Sequence, residues 1–168
     1  GSTLGARFVS KAPADGHTLM MMSNSFANAP ILIADAGYDP IKDFAQVSLV
    51  ARIPLILVVN PSLPARTLKE FIALAKTHPG QLTYGGSGIG SLGHTAGALL
   101  GQQAGVKLTH VPYKGNAQAL IDVAAGQISF MLDQISVASA YVNVGKVRAL
   151  GRSEEHTSEL QSRFGISY

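Results

Sequence analysis

The stretch "TLKEFIALAKTHPGQLTYGGSGIGSLGHTAGALLGQQAG", Thr67–Gly105, decides the fold. Thr67 followed three residues later by Glu70 is a capping box, in which a hydroxyl and a carboxylate each satisfy a free amide at a helix start. Leu68, Phe71, Ile72 and Ala75 then recur at helical spacing, and "HPG" at 78–80 stops the run. A short strand is expected at Leu82–Tyr84, then a glycine loop. A second helix should cover 91–104, with Leu92, Ala96, Leu99 and Leu100 on its apolar face. Gly105 suits the end of that helix, where a left-handed residue is common.

The alternation continues downstream. A strand at Val106–Val111 leads into the turn "PYKG", and Asn116 is expected to cap a helix whose inward face is Ala117, Leu120, Ile121 and Ala124. Gly126 ends it; "ISFML" (128–132) reads as a strand, a helix runs to Asn143, and "KVRAL" (146–150) is another strand. Such order predicts an α/β fold with a parallel sheet and right-handed crossovers. Upstream the pattern is less regular. "GSTLGARFVSKA" suggests a capped helix, "GHTLMMMS" (16–23) a buried strand, and "SNSFANAPIL" (23–32) a loop entering a helix. "VSLVARIPLILVVNPS" (47–62) reads as two extended segments joining the halves. The expected organisation is a partial first lobe at 1–50, a crossover at 51–62, a second α/β lobe at 63–151 and a separate tail at 152–168.

That tail rests on composition. "RSEEHTSELQS" (152–162) resembles the in-frame translation of a sequencing adapter, and it holds three of the four glutamates in the chain. The whole sequence is 46% apolar and 14% Asp, Glu, Lys and Arg, which marks a core-forming chain. No apolar run approaches the ~18 residues of a membrane span, and no signal peptide is visible at the Gly/Ser-rich start. There is no cysteine, hence no disulfide or thiolate metal site. The net charge of +3 is scattered, without the basic–aromatic stripe of a nucleic-acid binder.

In open α/β sheets ligands bind beyond the carboxyl ends of the strands, where this chain places "SNSF", "GGSGIGS", "PYKG" and "DQIS". Gly88, Gly90 and Gly93 spell G-x-G-x-x-G, so a nucleotide-binding Rossmann-like enzyme is one reading. Its ribose-holding acid about 20 residues on is missing from "LTHVPYKG". A serine hydrolase is a second reading, but Ser87 and Ser91 both meet Ile89 where G-x-S-x-G needs glycine. His94, on the helix of Ser91, suits a hydrogen bond at the helix terminus better than a base, and His17, His78 and His110 lack metal-ligand spacing. Anion capture is the third reading, favoured by free amides and the dipole at a helix N-terminus, worth roughly 0.3–1 kcal/mol for the dipole alone. It needs no cofactor, no metal and no catalytic residue.

"APADGHTLMM", "YDPIKDFAQVSLVARIPLILVVNPSLPARTLKEF" and "HVPYKGNAQALIDVAAGQISFMLDQ" resemble the solute-binding receptors of tripartite tricarboxylate transporters, the Bug family. The likeness covers Gly1–Leu150. It implies a periplasmic, non-enzymatic, two-lobed Venus-flytrap receptor, its second lobe nearly complete here and its first partial. Such a receptor captures a small carboxylate and passes it to membrane permease components. Matched by position, it implies ligand contacts from Ser23, Asn24 and Ser25, from Ser87, Gly88, Ile89, Gly90, Ser91 and His94, from Tyr113, Lys114 and Gly115, and from Asp133. The family's first strand and its proline- and glycine-rich loop are not in this sequence. Apolar sheet edges left uncovered by such losses favour self-association and weak ligand binding.

Overall fold

The computed structural model describes residues 2–153. A five-stranded sheet runs in the order β3-β2-β4-β1-β5, with β1 at Leu55–Val59, β2 at Thr83–Gly86, β3 at Thr109–Pro112, β4 at Phe130–Gln134 and β5 at Arg148–Arg152. β2 is parallel to β3 and β4, as the alternation requires, but β1 is antiparallel to both β4 and β5. The sheet is therefore mixed. Residues 47–54 bring the chain to the edge where the parallel strands end, so the strand that starts there must run the other way. Leu55 lies opposite Gln134 and Val59 opposite Phe130. "LILVV" (55–59), read as part of a crossover, is thus a central strand, while 47–53 form no strand.

Alternate strand residues feed two cores. On one face Leu57, Val59, Tyr84, Phe130 and Leu132 pack against α3 (Leu68–Thr77) and α4 (Leu92–Ala104). On the other, Val58, Met131 and Val147 pack against α5 (Asn116–Ala124) and α6 (Ile135–Asn143). The Thr67 capping box is complete: its hydroxyl accepts from the Glu70 amide at 3.2 Å while the Glu70 carboxylate accepts from the Thr67 amide. Phe71 and Ala75 are buried as their spacing predicts, and Gly105 takes the left-handed conformation at the end of α4.

Two helix faces are rotated from the expected ones. Leu99 and Ile121 are exposed, and the buried faces are Gly93, Ala96, Gly97, Leu100 and Gly101 on α4 and Ala119, Leu120 and Val123 on α5. Ala117 is exposed as well. The reason is close packing: the small residues let α4 lie directly on the rings and carbonyls of the sheet. The expected strand at 106–111 begins only at Thr109.

The first third differs most. α1 (Ser2–Val9) and α2 (Ser25–Leu32) form as expected and enclose a small core of Ala6, Ala29, Ala36 and Tyr38. Phe26 stacks on Tyr38 at 5.1 Å and meets Phe44 edge-on at 4.9 Å. "GHTLMMMS" is not a buried strand. It pairs with no strand among the described residues, and only Met20 and Met22 turn inward while Leu19 and Met21 are exposed. At the other end Arg152 lies in β5, and Ser153 Oγ accepts from the Leu55 amide at 2.8 Å. The rest of the expected tail, from 154 on, lies outside the described residues.

Candidate functional site

Because β2, β3 and β4 are parallel, their carboxyl ends at Gly86, Pro112 and Gln134 share one edge. The N-termini of α4, α5 and α6 open there too. Such termini carry free amides and the positive end of the helix dipole.

The glycine loop 86–91 is shaped by two left-handed residues, Gly88 at φ +104° and Gly90 at φ +79°. Ser91 is the N-cap of α4, its Oγ accepting from the His94 amide at 3.3 Å. His94 Nδ1 accepts from the Gly90 amide at 3.0 Å, so this ring closes the loop on the first turn of the helix, as its terminal position suggested. The amides of Gly88 and Ser91 are used within the loop, by the carbonyls of Gly86 and Gly88. Those of Leu92 and Gly93 make no hydrogen bond to another described residue. Ile89 stands at the tip, 68% exposed, and Ser87 is exposed beside it.

Gly90 is buried, and what covers it is α2. Asn28 Nδ2 donates to the Gly90 carbonyl at 3.4 Å, and Leu32 Cδ1 would lie 3.1 Å from any Cβ added there. Sequence reasoning missed Asn28; its place in "SFANAPIL", one turn into a helix aimed at the loop, was the available signal. Ser23, Asn24 and Ser25 sit about one turn, ~5 Å, before Asn28. Asn24 makes no cap bond, and Ser23 and Ser25 join hydroxyls at 2.7 Å. They lie at the start of the helix whose Asn28 reaches the loop.

Behind Gly86 lies an aromatic stack. The His94 and His110 rings are 4.2 Å apart, Tyr84 is 5.1 Å from His110, and the Tyr84 hydroxyl donates to the His94 carbonyl at 3.2 Å. Burial and the neighbouring His94 push His110 down to about 4. A histidine lowered in the fold stabilises it fully above the ordinary value near 6.5 and loses that contribution as pH falls towards 4. The His110→Gln variant is therefore expected to show a flatter fall in melting temperature between pH 6.5 and 4, and a slope equal to that of the parent would remove this role.

On the opposite face, Tyr113 turns away from the loop. Its hydroxyl donates to Asp122 Oδ2 at 2.8 Å, and burial with this carboxylate contact raises it to about 12. Its amide binds the Gly86 carbonyl at 2.8 Å, so the residue ties the two loops together through backbone. Lys114 is exposed. Gly115, not Asn116, is the N-cap of α5, and it offers no side chain to the helix. The Asn116 side chain points instead to Asp133, its Nδ2 donating to Oδ1 at 2.6 Å. Asp133 is fully buried and also accepts from the Gln134 amide at 2.9 Å. A cavity of about 460 Å³ lies elsewhere, between the C-terminal half of α4 and residues 105–108, lined by glycines, Ala98, Val106 and Leu108 with Gln102 and Lys107.

The chain matches the family described as tripartite tricarboxylate transporter family receptor over residues 1–162. It belongs to that receptor family. A Pseudomonas sp. strain P51 relative, the UPF0065 protein in the tcbD-tcbE intergenic region, is 34% identical over 90% of this chain and 45% of its own. Among solved structures, Rpa4515 of R. palustris with adipate has a TM-score of 0.81 at 33% identity, covering 98% of this chain and 55% of the other. The periplasmic binding protein BugD gives 0.79 at 30%, covering 94% and 52%. MatC (Rpa3494) of Rhodopseudomonas palustris with bound malate gives 0.77 at 32%, covering 92% and 53%. This receptor-family chain thus spans about half the length of the relatives it matches, and its α/β fold is a partial form of their binding-protein architecture. The family and its neighbours are receptors, which sets aside the nucleotide reading of Gly88, Gly90 and Gly93. Gly93 has a packing role instead, since a Cβ there would stand 3.1 Å from the Leu132 carbonyl.

Proposed function

We propose that the chain is part of a periplasmic receptor that captures a small carboxylate and delivers it, without any reaction, to the membrane components of a tripartite tricarboxylate transporter. The observation that carries this reading is the pair of helix starts, α4 and α5, both opening at the carboxyl end of the parallel strands, one from each face of the sheet. Leu92 and Gly93 carry amides without hydrogen bonds among the described residues, and α5 has no side-chain cap. Amides of this kind, with the dipole behind them, favour an anion. Adipate and malate in two family neighbours support a carboxylate as that anion.

The test is a thermal-shift panel of mono-, di- and tricarboxylates, including adipate and malate, with NAD and ATP alongside. A ligand at a hundredfold its Kd stabilises by about 2.7 kcal/mol, or roughly 5–10 °C for a chain of this size. A carboxylate is expected to give such a shift and the nucleotides none; a shift with NAD alone would reverse the assignment.

Self-association of this chain is supported by Leu19, Met21, Val47, Leu49 and Val50, each 67% exposed or more along two extended segments that pair with no strand among the described residues. Sedimentation is expected to show mass rising with concentration. A monomer throughout the micromolar range would refute this.

A further inference from the structure

Asp133 sits at the end of β4 on the face covered by α5 and α6, 0% exposed. Its Oδ1 is well served, by Asn116 Nδ2 at 2.6 Å and the Gln134 amide at 2.9 Å. Its Oδ2 has no partner among the described residues, nor has the Asn116 Oδ1, and both atoms are buried. A carboxyl and an amide that share one hydrogen bond and each hide a second, unserved acceptor lack one donor between them. A proton on Oδ2 supplies it.

We propose that Asp133 is held as the neutral acid, its Oδ2–H donating to Asn116 Oδ1 while Asn116 Nδ2 donates to Oδ1, and that this reciprocal pair positions α5 while keeping negative charge away from the anion site. Burying an unpaired ionised carboxylate is costly, whereas a neutral acid with both hydrogen bonds made is not. Burial raises the Asp133 carboxyl above its ordinary value, and the Gln134 amide and Asn116 pull the other way. The charged residues on neighbouring elements are Lys114, on the turn before α5, Asp122 on α5, bound to Tyr113, and on β5 Arg152, across β1 from Asp133, and Arg148, whose guanidinium donates to the Pro61 and Ala65 carbonyls; α6 carries none. The Asn116 side chain belongs to the first residue of α5, so the pair fixes where that helix starts relative to β4. Its consequence for ligand rests on the carboxylate reading: an ionised Asp133 would set a like charge beneath an incoming anion.

The test begins without ligand. The chain labelled at aspartate ¹³Cγ is titrated by NMR, and Asp133 is identified as the signal lost in the D133N variant. One of the six aspartates, Asp133, is expected to titrate at higher pH than the other five. An asparagine at 133 reproduces both hydrogen bonds of the neutral pair. The variant should therefore keep its melting temperature at low pH and exceed the parent as pH rises through the Asp133 midpoint. The exchanged variant N116D/D133N should restore a titrating pair. An Asp133 that titrates with the others, or a D133N chain that is destabilised at every pH, overturns the proposal. The second readout is carboxylate affinity against pH, with malate and adipate as probes. It should fall in the parent as Asp133 ionises and stay flat in D133N. A raised Asp133 with no bound carboxylate would retire the ligand reading and leave the pair intact; an ordinary Asp133 with carboxylate bound would do the reverse.

Discussion

A valine in place of Gly97 is expected to lower stability by about 3 kcal/mol, the upper part of the usual range for overpacking, and the melting temperature by roughly 10 °C. A Cβ at this position would stand 2.6 Å from Tyr84 Cδ2 and 2.7 Å from Cζ, with Cε2 nearer still. The ring has no room to retreat. It is 3% exposed, lies 5.3 Å from the Phe130 ring on one side, and borders His110 on another. Either α4 lifts off the sheet or Tyr84 turns, and turning breaks its bond to the His94 carbonyl. His94 also accepts from the Gly90 amide, so the disturbance reaches the glycine loop. The measurement is a urea or thermal melt of Gly97→Val beside Ala98→Val, which is exposed one residue along and should cost only ~0.5 kcal/mol. Equal melting of both variants with the parent would show that α4 does not rest on Tyr84.

Such close packing explains what the sequence concealed. Periodicity locates Phe71 and Ala75 correctly because α3 buries large side chains, and the Thr67–Glu70 pair announces its own start. α4 instead buries glycines, which carry no hydropathy signal, so the apolar rule chose Leu99 when the contact face is Gly93, Gly97 and Gly101. Strand direction was hidden for another reason. Hydropathy marks "LILVV" as buried but says nothing about which way a central strand runs, and only its connection at 47–54 sets that. "GHTLMMMS" has the composition of a strand, yet a strand needs a neighbour, and none pairs with it among the described residues.

The site divides along the same line. The start of α4 near Ser91 was legible because helix starts have local rules, and the glycine loop at Gly88 and Gly90 because only glycine sits readily at such φ. Tyr113 and Asp133 carry chemistry that their spacing could not aim: the first is spent on Asp122, the second on Asn116. Asn116 itself was read as a cap because Asn is a good one. One residue of slippage made Gly115 the cap and freed the amide to bind across to β4.

That slippage leads to the variant with the largest expected effect on binding. Gly115→Asp should weaken carboxylate binding by about thirtyfold, while leaving stability unchanged or raised by a few tenths of a kcal/mol. Gly115 has φ −168°, extended backbone that any residue adopts, and a Cβ added there meets nothing within 4 Å. The substitution therefore carries no strain and no clash. Aspartate is a preferred N-cap, and its side chain would accept from the first-turn amides of α5 that Gly115 leaves uncapped. An external carboxylate would then meet occupied donors and a like charge at once. Each loss alone is modest, about 1 kcal/mol for a cap-type hydrogen bond and a similar amount for the repulsion, and together their ~2 kcal/mol corresponds to about thirtyfold. Gly115→Asn separates the two terms, since it fills the cap without the charge and should weaken binding by about fivefold. The melting temperature without ligand, and its shift with malate or adipate, give both quantities from the same samples. A Gly115→Asp chain that keeps its stability and still binds with the parent's affinity would take the start of α5 out of the site, leaving α4 and its glycine loop as the sole anchor for the anion.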